Sequence, residues 1–224
     1  MNTSRLLTVP AKYLDAITHT LDPELELQGL QRYLSGRIVE IFCRTGRIGE
    51  YLLREGYSWQ GCDPDATMIE YSIRRVGFQV RDVLVPVANS ADTILGIFAP
   101  LSYISPNELP NFAHKIHTAL SENGRAILEM WHTPETAQPR YSLMDLYESS
   151  QLKLVRTVVP TIEGRRANFT FHWLVGSTEV NRESFVVVRY LHRMNEIQAA
   201  FSLFEQQLID ISDRSYLLLS KNVS

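Results

Sequence analysis

The chain has little cysteine, few glycines and no surplus of positive charge. Its two cysteines, Cys43 and Cys62, stand in apolar strand contexts with no Cys/His partner at zinc spacing. We read them as buried free thiols of an intracellular protein, which excludes a disulfide framework and a structural metal. Lys+Arg number 22 against 25 Asp+Glu, a net charge of -3, so no basic footprint points to nucleic acid. No apolar run approaches the ~20 residues of a membrane span. The N-terminus has no basic-then-apolar leader pattern, and a cytoplasmic location without a membrane partner is expected. Internal repeats, low-complexity tracts and long linkers are also missing. What is there is 224 residues, 45% hydrophobic and 21% charged, enough apolar mass for one large domain with an elaboration.

The organising stretch is GRIVEIFCRTGRIGEY at 36–51. It predicts a buried strand at 37–43, a tight turn at Thr45-Gly46 and a helix at 47–55 ended by Gly56. Free N–H groups at such a turn and helix start favour an anionic or polar ligand head. The turn is poorer in glycine than loops of this kind usually are. A second strand at 58–62 places Asp63 at its carboxyl end, about 20 residues after the glycine turn, where one carboxylate can accept two vicinal ribose hydroxyls. Asp63 or Asp65 could instead cap the helix at 66–76. A third strand at 78–83 ends in Asp82, which an adenine amine could reach or which solvent could surround. A fourth strand at 91–98 leads into APLSYIS, making Ser102 and Tyr103 candidate pocket residues. A helix at 106–120 and a fifth strand at 125–130 follow, with Trp131 and His132 at the ligand edge. His132 is a candidate for proton handling and equally a structural histidine. These alternations argue for an α/β fold with a right-handed, mostly parallel sheet.

Ahead of the first strand, two short helices are expected over 10–34, broken at Asp22-Pro23. They cover a sheet edge or form a lid with Tyr13 on substrate. Beyond 150 the pattern changes to β-rich runs at 152–160, 167–175 and 184–191, joined by hairpin-like turns. In FTFHWLV the alternation sets Phe169, Phe171, Trp173 and Val175 on one face, with Thr170, His172 and Leu174 on the other. The aromatic face is expected to pack on the parallel domain, and His172 is a secondary site candidate. A helix at 195–206 and strands at 208–211 and 216–220 would close a seven-stranded sheet with one reversed edge strand. The expected organisation is a helical cap at 1–35 and a main domain at 36–224, with the antiparallel insertion at about 150–193.

The segments VEIFCRTG, GCDPDATM, VRDV, IFAPLSYI, LSENGRAILEMWHTPET, FHWLV and VVVRYLHRMNEIQAAF carry a resemblance. Over residues 37–221 the chain resembles a class I S-adenosylmethionine-dependent methyltransferase. It is most similar to the sugar-amine N,N-dimethyltransferases and, more loosely, to glycine N-methyltransferase-type enzymes. The resemblance implies a Rossmann-like seven-stranded, mostly parallel sheet with helices on both faces and an antiparallel β insertion. It implies S-adenosylmethionine as cofactor, with Glu40 on its methionine part, Asp63 on the ribose hydroxyls and Asp82 on the adenine amine. The Phe98-to-Tyr103 loop would line the methyl, and Arg44, Gly46, Pro64, Met68 and Val83 complete the cofactor set. Trp131 and His132 would face a small-molecule acceptor, an amine by preference, which His132 or Tyr103 orients or deprotonates. Tyr13, Ser102 and His172 are the further substrate contacts, and a homodimer through the insertion follows from the subfamily.

One departure stands out. Phe42 and Arg44 occupy positions where the family has a small residue and a glycine. Either Arg44 swings outward, pairing with Glu40, Glu50 or the cofactor carboxylate, or it blocks the site and leaves a fold without the activity. A dinucleotide oxidoreductase is disfavoured, because the turn holds a single glycine and Gly49 comes too early in the helix.

Overall fold

A computed structural model describes residues 10–18, 21–77, 80–81, 87–137, 143–148, 153–176 and 181–221. The expected loose N-terminal end, Asp82 and Val83 lie outside them. Two helices, α1 (Ala11–Thr18) and α2 (Pro23–Leu27), precede the first strand. Asp22 caps α2 by accepting the Glu24 N–H at 2.9 Å, with Pro23 at the first helical position, where its missing N–H costs nothing. Then follow β1 (Arg37–Ile41), α3 (Arg47–Arg54), β2 (Ser58–Cys62), α4 (Ala66–Val76), β3 (Val80–Arg81), β4 (Ala91–Gly96), α5 (Leu109–Ala119) and β5 (Leu120–Glu129). An antiparallel group comes next: β6 (Leu143–Glu148), β7 (Lys153–Glu163), β8 (Arg166–Gly176) and β9 (Asn181–Tyr190). The chain closes with α6 (Met194–Ala200), β10 (Phe204–Ile211) and β11 (Arg214–Lys221).

The main sheet has seven strands in the order β10-β11-β5-β4-β1-β2-β3. β3, β2, β1, β4 and β5 pair in parallel, and β11 runs antiparallel to both of its neighbours. The expected reversed strand is therefore present, but it sits inside the sheet with β10 as the edge. Continuous apolar runs in β1, β4, β5 and β11 bury both faces, as parallel-rich sheets require. Val39, Ile41, Ile94 and Leu128 face a core shared with α5, α6 and Trp173. Ile38, Leu95, Ile127 and Leu218 face a second core built with α2 and α3.

β6, β7, β8 and β9 form a separate four-stranded antiparallel sheet. It begins at Leu143, before the expected 150, because β6 adds an edge strand that the sequence reading missed. Its register sets Arg156, Val158, Phe169, Phe171, Trp173, Val187 and Arg189 on one face. Two further expectations fail. The helix expected over 195–206 stops at Ala200, and Phe204 begins a strand. The fifth strand starts at Leu120 rather than Arg125. Among the described residues no helix is long and apolar enough to cross a membrane.

Candidate functional site

β1 ends where the backbone turns left-handed. Phe42, Arg44 and Gly46 have φ of 53°, 52° and 75°. Two of these three are not glycine, and each non-glycine residue in that region costs about 1–2 kcal/mol. Asp63, at the end of β2 and 0% exposed, holds the turn. Its Oδ2 accepts the Arg44 N–H at 2.9 Å and its Oδ1 accepts the Asp65 N–H at 2.9 Å. The helix-capping role belongs to Asp65, whose carboxylate accepts the Thr67 N–H at 2.8 Å. Burial pushes the Asp63 carboxyl up to about 6, against the pull of its two N–H donors.

Glu40 points to the opposite side of β1 from Ile41 and is 4% exposed. Trp59 Nε1 donates to its Oε2 at 3.1 Å. Burial raises its pKa to about 8, the Trp59 hydrogen bond and the Arg47 charge pulling the other way. Gly49 lets α3 approach β2 here, since a Cβ at that position would lie 2.2 Å from Trp59 Cζ2.

The Arg44 side chain reaches inward. Its Nη2 donates to the Tyr103 hydroxyl at 2.6 Å, and its guanidinium carbon lies 4.8 Å from the Phe98 ring centroid. Its Nε is buried without a hydrogen-bond partner among the described residues. Phe42 stacks on Tyr103, with centroids 5.0 Å apart. Glu40, Phe42, Arg44, Arg47, Phe98 and, from α1, Leu14 and Thr18 leave a residual cavity of about 20 Å3. That is room for about one water molecule. Neither Glu40 nor Glu50 takes up Arg44, and Glu50 pairs with Arg75 at 3.2 Å.

Next to this filled cleft lies a cavity of about 390 Å3, roofed by the second sheet. Phe98, Trp131, Phe169 and Phe171 form its walls, and Arg44, Glu129, Arg156 and Arg189 bring charge into it. Phe98 and Ala99 are also left-handed, at φ 64° and 57°, which ends β4 at Gly96. The Phe98 N–H is held by Glu129 Oε2 at 2.7 Å. A larger open depression of about 1040 Å3 surrounds the Arg37–Asp92 ion pair at the other end of the strands. Ligands of open α/β sheets bind at the carboxyl ends, so the roofed cavity is the candidate site.

Of the sequence candidates, Arg44, Phe98 and Trp131 line this cavity. Tyr103 and Ser102 lie directly behind it, 4% and 2% exposed. Ser102 donates to the Ala99 carbonyl at 2.7 Å and accepts from Arg189 Nη1 at 2.5 Å. Met68 is buried inside α4, and Pro64 is exposed beside Asp63. His132 is exposed, its ring 5.7 Å from Trp131, and is not among the lining residues. His172 is on the outward face of β8, with Nδ1 2.9 Å from Ser184 Oγ. Tyr13 is a clasp between α1 and the second sheet. Its hydroxyl donates to Glu183 at 3.0 Å, its ring lies 5.4 Å from Trp173, and burial, with Glu183, lifts its pKa to about 12. The sequence reading missed Glu129, Arg156 and Arg189. A signal existed for Arg189: it shares the phase of Phe185 and Val187, the inward face of β9.

The chain matches no protein-family model and no curated protein. Solved structures do match it. DesVI of Streptomyces venezuelae superposes with a TM-score of 0.85 at 16% identity, over 95% of this chain and 97% of that one. The sugar N-methyltransferase KedS8 from Streptoalloteichus also reaches 0.85 at 16% identity, over 95% and 93%. CalS10, an amino pentose methyltransferase from Micromonospora echinaspora solved with S-adenosylmethionine bound, gives 0.77 at 18%, over 96% and 98%. The fold is that of the S-adenosylmethionine-dependent methyltransferases. In this chain the turn after β1 has a left-handed backbone and carries two large side chains, Phe42 and Arg44.

Proposed function

We propose that the chain is an S-adenosylmethionine-dependent methyltransferase acting on a small-molecule acceptor, an amine by preference. The observation that carries this is the match in fold along almost the whole chain, together with Glu40 and Asp63 at the ends of β1 and β2. The frame fits the cofactor; the present filling does not. Phe42, Arg44 and Tyr103 interlock in the space above β1, and about 20 Å3 is far below the ~300 Å3 that small-molecule sites begin at. Admission of the cofactor therefore requires Phe42 and Arg44 to rotate away. Breaking a hydrogen bond to a charged group costs about 1.5–3 kcal/mol, and separating an aromatic pair about 0.5–1.5 kcal/mol. The sum, about 2–4.5 kcal/mol, weakens binding by roughly 30- to 2000-fold. A homodimer through the outward face of the second sheet, where Leu146, Val159 and Val186 are exposed, belongs to the same reading; light scattering tests it, and a monomer at high concentration overturns it.

A second reading is favoured by the interlock itself: the fold has been repurposed to bind a ligand without the cofactor. Calorimetry with S-adenosylmethionine separates the two. The methyltransferase reading expects binding by the unmodified chain and binding at least tenfold tighter in the Phe42→Ala, Arg44→Gly variant. Binding by the variant alone supports the repurposed reading, and binding by neither overturns the cofactor assignment.

A further inference from the structure

The roofed cavity gathers three guanidinium groups around a single carboxylate, Glu129. Arg44 comes from the turn after β1, Arg156 from β7 and Arg189 from β9, and all three line one space of about 390 Å3. Two of these guanidinium groups sit on the same ring: Arg189 Cζ is 3.6 Å and Arg44 Cζ 5.9 Å from the Tyr103 centroid. Arg189 is held in place by its hydrogen bond to Ser102, and Arg44 by its bond to Tyr103. The one carboxylate in the lining, Glu129, offsets at most one of the three positive charges, and one of its oxygens is already taken. Its Oε2 accepts the Phe98 N–H, and Arg214 approaches the same oxygen at 3.7 Å. Burial, opposed by Tyr103 and Glu129 and aided by the Arg44 charge, brings the Arg189 guanidinium down to about 10.

Guanidinium groups held together in a partly buried space repel one another, and their planar forks match a flat two-oxygen anion. The rest of the lining asks for an apolar, planar body. Trp131 and Phe169 have centroids 5.5 Å apart, and Phe98 and Phe171 complete the walls. We propose that this cavity binds a small aromatic carboxylic acid, its carboxylate between Arg44 and Arg189 and its ring against Trp131, Phe169 and Phe171. A carboxylate is assigned over a phosphate because each guanidinium already spends one nitrogen on Tyr103 or Ser102, leaving one edge for a flat anion. The inference does not rest on the methyl-transfer reading, because no part of it involves the cofactor.

The test is a fluorescence titration of the full chain, without S-adenosylmethionine, using 3-phenylpropanoate, its amide and phenyl phosphate. Trp131 reports on the cavity, because Trp59 and Trp173 are 3% and 0% exposed. The acid is expected to change the emission with an affinity at least tenfold above that of the amide, and Trp131→Phe to abolish the signal. Arg44→Met and Arg189→Met are each expected to weaken the acid tenfold or more while leaving the amide unchanged. The comparison of acid with amide on the unmodified chain holds even if a variant fails to fold. Equal affinities for acid and amide, or no binding of the acid, overturn the proposal. Tighter binding of phenyl phosphate than of the acid overturns the assignment to a carboxylate.

Discussion

Arg44 has a backbone shape that glycine adopts freely and a side chain that glycine lacks. The two effects can be separated. Arg44→Ala and Arg44→Gly both lose the bond to Tyr103, but only the glycine variant relieves the left-handed strain. We expect Arg44→Gly to be more stable than Arg44→Ala by about 1 kcal/mol, read from urea midpoints. Glu40 gives a pH signature. Its folded pKa, about 8, lies above the ordinary 4.5, so between those values the unfolded chain has released a proton that the folded chain keeps. Stability should therefore fall as pH rises through that window, with Asp63 contributing to its lower half. Glu40→Gln keeps an acceptor for Trp59 and is expected to flatten the slope; an unchanged slope between about pH 5 and about pH 8 would overturn the assignment. The sequence showed Arg44 as a departure, because Gly46 and the two acids framed it. It did not show the destination of the side chain, because Tyr103 lies 59 residues further on and only the folded sheet brings them together.

At the scale of elements, the βα alternation was legible because buried parallel strands read as continuous apolar runs bounded by glycine turns. The end of α6 was not. Ile197, Phe201, Phe204 and Leu208 keep a helix-like spacing in the sequence, while β10 is fixed by pairing with β11 along eight register positions. β6 escaped because it is an edge strand, paired among the described residues with β7 alone. The contact of α3 with β2 was also hidden, since nothing in the sequence marks Gly49 as facing a tryptophan. Gly49→Ala would drive a methyl into the Trp59 ring, and a loss of about 1–3 kcal/mol is expected in chemical denaturation. If Trp59 is the obstacle, adding Trp59→Phe should cost less than the two single changes together.

At the scale of the whole molecule, a chain of charges ties the N-terminal helices to the sheet. Arg47 pairs with Glu26 of α2, Arg214 reaches Glu26 at 3.7 Å, and Arg214 also reaches Glu129 at 3.7 Å. The Arg47 and Glu26 side chains are 10% and 5% exposed, so removing one partner strands a charge away from water. Glu26→Ala is expected to cost about 3–5 kcal/mol, and Arg47→Met in the same chain to recover much of it. A loss below about 0.5 kcal/mol would place the pair with weak surface bridges. The position of β11 has a consequence for synthesis. Among the described strands of the sheet it is the last to be translated, yet its place is between β5 and β10. Until residues 214–221 clear the ribosome, both of those strands keep a bare ladder edge, which a neighbouring nascent chain can join. A premature stop before Arg214 would leave that gap open for good, so truncated products should be recovered as insoluble material rather than as smaller folded proteins.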